Sequence, residues 1–167
     1  DALRSAIPPF DEKAGKLLKE KVKNAGADGG QDGGTGDKGS SEKNLKAYLK
    51  TLKCPGGMKR MIVKNPAAKK NKSAPPLVAY CIDYYEYPGK GRKPKTNVSW
   101  AAANAACAAV GKRLCQTWEW RKGCGGKYPY GKSYNPDKCN TVGEDGIERD
   151  VLAAGSKKGC RSDTGCM

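Results

Sequence analysis

Eight cysteines and no histidine set the chemistry open to this chain of 167 residues. Cys54, Cys81, Cys107, Cys115, Cys124, Cys139, Cys160 and Cys166 are even in number, and none form a Cys-x-x-Cys pair at zinc-ribbon spacing. Without histidine, a mixed Cys/His zinc site cannot be built, and neither can a Ser/His or Cys/His nucleophile pair. The even count reads as disulfides before metal ligands. Cys54 and Cys81 flank neighbouring predicted strands and are the first expected bond. Cys160 and Cys166 are close enough to close a small loop. Carboxylates are sparse; Asp83 and Glu86 could face a cleft, though a structural role at the end of a strand is the stronger expectation.

A disulfide framework places the chain outside the reducing cytoplasm. The sequence opens at Asp1 with no signal peptide, which reads as the mature form of an extracellular or periplasmic protein. No stretch approaches a membrane span. The 32 basic side chains outnumber 17 acidic ones, for a net charge of +15. Acidic glycan, an anionic membrane surface or nucleic acid are the partners that such charge suggests. No nucleic-acid motif accompanies it, and the densest run, "KKNK" at Lys69–Lys72, also serves solubility.

The elements that must position these sulfurs fall into two parts. Residues 1–53 lack cysteine and tryptophan. They read as a helical extension: a short helix at Asp11–Asn24 with Leu17, Leu18 and Val22 as its stripe, a Gly/Asp-rich linker at 25–41, and a second helix at Ser41–Leu52. Leu45, Tyr48, Leu49 and Leu52 recur at helical spacing there, with Ser41 as cap. Such a segment is expected to tether the domain or dock on a partner through its apolar stripe, or to be a disordered stalk. Residues 54–167 carry all the cysteines. Strands are predicted around Met61–Val63 and within "PLVAYCIDYYEYP" (Pro76–Pro88). Ser99 can cap a helix from Trp100 to about Val110, ended by Gly111, and its alanines suit burial against a sheet. Thr117 can start a second short helix through Lys122. The remainder, Cys124–Met167, is Gly-, Asp- and Tyr-rich loop that needs pinning.

The words "YCIDYYEYPGKG", "TNVSWAAANAACAAVGKRLCQTWEWRKGCGG" and "KYPYGKSYNPDKCNT" resemble, in this order, the formylglycine-generating enzyme or sulfatase-modifying factor family. The resemblance runs from about Cys54 to Gly155. It implies an α+β, irregular, loop-rich fold of the C-type-lectin-like class, disulfide-braced, here with an N-terminal helical extension. In that fold the alanine helix packs on a twisted sheet and Gly-Lys-Arg-Leu turns the chain into the next helix. Arg113 is expected in the core or at a loop junction, donating to backbone carbonyls. Trp100 and Trp120 are expected as core anchors.

The resemblance also implies a calcium site at Asn140, Thr141, Asp145 and Ile147, through two side chains and two backbone carbonyls. Calcium takes six to eight oxygens, and this mixture suits it. The loop between Asn140 and Asp145 is short for the family. Oxidase members bind copper with a cysteine pair beyond a Gly-Asn-Val-Trp-Glu-Trp segment, and that segment has no counterpart in this sequence; copper enters only with it. Cys107 and Cys124 match family cysteines whose usual partners lie in the same region. They pair differently here, or another chain or segment supplies the partners. Three functions follow as expectations: a non-oxidase binding, structural or assembly module with a protein partner or self-assembly; a fragment of a copper-dependent formylglycine-generating oxidase that acts in sulfatase maturation; and a basic binder of acidic glycan or nucleic acid.

Overall fold

The computed structural model describes residues 5–7, 38–142, 146–147 and 149–167. It is α+β. In chain order the elements are β1 (Ser5–Ile7), α1 (Lys38–Thr51), β2 (Met58–Lys64), a 3-10 turn (Pro66–Lys69), β3 (Leu77–Asp83), α2 (Trp100–Ala108), β4 (Arg113–Leu114) and α3 (Thr117–Cys124). The four strands run in the order β2-β3-β1-β4. The chain divides into two compact units, residues 1–7, 54–59 and 81–167 in one, and residues 8–53 and 60–80 in the other.

In the second unit, the spacing of leucines along α1 decides which face is buried. Leu45 and Leu49, four residues apart, are buried with Leu77 and Ala79 of β3, and Leu52 and Ile62 pack against them. Tyr48, on the next face, stays 36 % exposed. Burying each of those leucines contributes about 1.5–3 kcal/mol. The guanidinium of Arg60 donates to the carbonyls of Lys50 and Leu52, the second at 2.6 Å. That satisfies acceptors at a helix end which have no partner within the helix. The helix begins before Ser41, so that residue lies inside it instead of capping it. The helix expected at Asp11–Asn24, and the linker up to Asp37, lie outside the described residues.

In the first unit, β1 is the strand that the sequence reading misses. It pairs antiparallel with β3, Ala6 opposite Ile82 and Ile7 opposite Cys81. On its other side it pairs with β4, Ser5 opposite Leu114 and Ala6 opposite Arg113. Three residues carry no periodicity to detect; the strand exists because two distant edges complete its hydrogen bonds. Cys54 is bonded to Cys81, as expected. Ser99 caps α2, its Oγ accepting from the Ala102 N–H at 3.2 Å. Past the helix, Gly111 takes φ +69°.

Only Ala103 and Cys107 of α2 are buried. The remaining alanines do not sink into a sheet, contrary to expectation, and the helix carries no charged residue on its open face. Trp100 lies on the same stripe as Ala103 and Cys107, one turn earlier, and is 73 % exposed. It is not a core anchor. Trp120 is 46 % exposed, because α3 turns Glu119 and Gly123 inward and Trp120 sits to one side of them. A Cβ on Gly123 would stand 2.7 Å from Cδ1 of the fully buried Ile82, so glycine sets the approach of α3.

The junction of β4 and α3 holds a buried ion pair. Arg113 donates to Glu119 through two nitrogens, at 2.6 and 2.5 Å, and to the Leu114 carbonyl at 2.9 Å. Glu119 also accepts from the Gln116 N–H at 2.8 Å, which satisfies a donor at the start of α3. Its side chain is 0 % exposed, against 24 % for Arg113. Arg113→Met should therefore cost roughly 3–5 kcal/mol in urea unfolding, since it strands a buried carboxylate. Glu119→Gln should cost less, because Arg113 keeps access to water. Losses below about 1 kcal/mol for both would show that the pair does not pin the junction.

Candidate functional site

The loop-rich stretch after α3 encloses a cleft of about 740 Å³ in the first unit. It is built on pinned loops. Cys139 is bonded to Cys160, which fastens the middle of the stretch to its end. The expected Cys160–Cys166 bond is therefore absent. Cys166 is instead buried, with its sulfur near Gly123. The loop closes without a bridge there: Ser162 Oγ and Thr164 Oγ1 both donate to the Gly123 carbonyl, at 2.9 and 2.5 Å. Ser162 N–H donates to the Cys166 carbonyl at 2.9 Å. These hydroxyls take the place of a partner for the C-terminal end of α3. Ala154, on the cleft lining, exchanges backbone bonds with the basic loop at 89–97: Gly91 N–H donates to the Ala154 carbonyl and Ala154 N–H to the Arg92 carbonyl, each at 2.8 Å.

Three tyrosines line the cleft. Tyr128 and Tyr130 stack, with centroids 5.9 Å apart and planes at 17°, and Tyr134 tilts against Tyr128 at 5.7 Å. Two of their hydroxyls are used by the loop: Tyr134 donates to the Val142 carbonyl at 2.8 Å, and Tyr130 accepts from the Asn135 N–H at 3.1 Å. In the sequence these residues belong to the Gly-, Asp- and Tyr-rich loop and to a family word, with no role of their own. Three tyrosines within seven positions of a Gly-rich loop were the available signal. Trp120 stands on the lining beside them.

Asp83 proves structural. Lys112 Nζ holds both its oxygens, at 2.7 and 3.0 Å. Glu86, by contrast, lines the cleft. Arg113 does donate to a carbonyl as expected, but its main partner, Glu119, was not foreseen.

Of the residues named for calcium, Asn140 and Thr141 border the cleft and Ile147 is exposed. Asp145 lies outside the described residues. The Asn140 amide nitrogen donates to the Asp150 carbonyl at 2.8 Å, which orients its oxygen away from that contact. As the resemblance names it, the set would be oxygen-only, one amide, one carboxylate and two carbonyls, the donor type a hard cation takes. Among the described residues no three His, Cys, Asp or Glu side chains cluster as a metal site.

With this geometry in hand, comparison with known proteins gives one match. The family described as Sulfatase-modifying factor enzyme 1-like domain covers residues 42–156. The chain belongs to this family. No curated protein and no solved structure matches. The sulfatase-modifying factor match starts within α1, so it takes in the helix that packs on Leu77 and Ala79 as well as the cysteine-bearing part.

Not every cysteine of the chain is bridged. Cys107 is a buried thiol on α2, and Cys166 a second. Burial pushes the Cys107 thiol up, and Asp83 adds to the rise while Lys112 opposes it. The folded state thus holds this proton more tightly than the unfolded chain. Its contribution to stability is whole below the ordinary thiol value of 9.0 and fades as pH rises past that value towards the folded one. At pH 8, iodoacetamide should leave Cys107 unmodified in the folded protein and label it in urea, as read by peptide mass mapping. Equal labelling in both would contradict its burial.

Proposed function

We propose that this chain serves as an extracytoplasmic binding or structural module of the sulfatase-modifying factor family, braced by disulfides and one calcium ion, with no oxidase reaction of its own. The observation that carries the reading is how the domain is held. The bonds Cys54–Cys81 and Cys139–Cys160 brace a chain whose last 43 residues, 125–167, form no helix or long strand among those described. Covalent ties suit a chain with little regular structure, and they fit an oxidising compartment. No helix among the described residues is long and apolar enough to cross a membrane. Calcium would be held by Asn140, Thr141, Asp145 and Ile147, and would supply only cross-linking of the loop.

A second reading is a fragment of a formylglycine-generating oxidase whose copper-binding cysteines lie on another segment. The uncharged open face of α2, with Trp100 at its head, favours it, since a further polypeptide would cover that face. Copper uptake would then need both pieces.

Calcium supplies the test. Added to EDTA-treated protein at a hundredfold excess over Kd, it should stabilise the fold by about 2.7 kcal/mol. The gain should appear as a higher Tm in calorimetry and vanish in Asp145→Ala and Asn140→Ala. An unchanged Tm in the parent chain would remove the ion from this account.

A further inference from the structure

We propose that the tyrosine-lined cleft binds a sulfated or carboxylated glycan. This rests on the binding-module reading above and names the ligand class of its site. The cleft offers two kinds of surface side by side. Trp120 and Tyr134 are 46 % and 49 % exposed, so each presents part of a ring to solvent. Tyr128 and Tyr130 continue the aromatic surface, and the hydroxyl bonds of Tyr130 and Tyr134 fix two of these rings from behind. A pyranose has an apolar C–H face that stacks on such rings, while its edge carries polar groups.

The second surface is cationic. Arg121, Lys127 and Arg149 line the same cleft and are exposed. Lys127 Nζ lies 5.3 Å from the centre of the Tyr128 ring, so charge and ring face the same space. Glu86 is the one carboxylate side chain among the described lining residues. Guanidinium groups pair with sulfate and carboxylate through parallel hydrogen bonds, a geometry that an ammonium lacks. A neutral sugar would leave these cations without a role, and an anion lacking an apolar face would leave the rings without one.

Single-stranded nucleic acid also combines stacking with charge. The disulfides argue for the glycan, because they place the protein where acidic glycans occur and nucleic acid is scarce. The electrostatic part of binding should follow salt, whereas the ring contacts should not.

The test uses the full oxidised chain and a fluorescein-labelled heparin oligosaccharide, read by anisotropy at physiological salt. The same oligosaccharide without sulfate, and a single-stranded DNA of equal charge, serve as comparisons. The sulfated probe should bind at least about tenfold more tightly than either. Arg121→Glu, Arg149→Glu and Trp120→Ala should each weaken it by about tenfold. Reversing Lys69, Lys70 and Lys72, which do not line the cleft, should change binding less than twofold or so. DNA binding as tight as the glycan, or loss on reversing Lys69–Lys72 that matches loss in the cleft variants, would overturn the proposal. So would a chain with Cys139–Cys160 intact that binds none of the probes, and that result would leave the brace standing. Free thiols at Cys139 and Cys160 would overturn the brace and the cleft together.

Discussion

The bidentate contact between Arg113 and Glu119 organises the rest of the first unit. A carboxylate with no exposure is stable only when its lone pairs are filled, and here two guanidinium nitrogens and the Gln116 N–H fill them. The contact fixes α3 against β4, and β4 is bonded to β1. One residue earlier, Lys112 ties the turn after α2 to Asp83 at the end of β3. Two adjacent basic residues thus connect both helices to the sheet. Their different roles follow from their chemistry: the planar fork of Arg113 matches a buried carboxylate, and the flexible Lys112 reaches a half-buried one.

Beyond α3 the chain has few backbone ladders, so it is held by discrete ties. Cys139–Cys160 is the covalent one. The hydroxyls of Ser162 and Thr164 meet the Gly123 carbonyl, and Met167 N–H reaches the Tyr84 carbonyl at 2.8 Å. At Gly155, φ is +86° and a Cβ would meet the Tyr85 ring at 2.8 Å, so the turn there admits only glycine without rearrangement. A wall assembled in this manner can present side chains outward, because its own backbone takes up the polar contacts. Tyr130 and Tyr134 are an instance: their hydroxyls serve the loop and their rings remain for another molecule.

Much of this architecture was legible in short segments. The β-branched and aromatic run gave β3, Ser99 and Gly111 bounded α2, and the leucines of α1 selected its buried face. These signals are local: a cap, a period, a left-handed glycine. The family words covered the turns between them. What escaped depends on partners far along the chain. β1 has only three residues, and its edges come from β3 and β4. Glu119 looks like an ordinary first-turn acid until Arg113 is placed beside it. Close spacing suggested Cys160–Cys166, yet burial of Cys166 beneath α3 and the reach of Cys139 decide otherwise. Trp100 and Trp120 were expected inside from the family likeness, which does not say which face each helix turns inward here.

The claim that matters most is that selective bridging, together with one buried ion pair, holds a largely irregular chain in the sulfatase-modifying factor fold. Peptide mapping of the unreduced protein, alkylated before digestion, tests it most directly. It should recover Cys54 linked to Cys81 and Cys139 linked to Cys160, with Cys166 in neither bridge. A peptide joining Cys160 to Cys166, or free thiols at Cys54 and Cys81, would contradict the account.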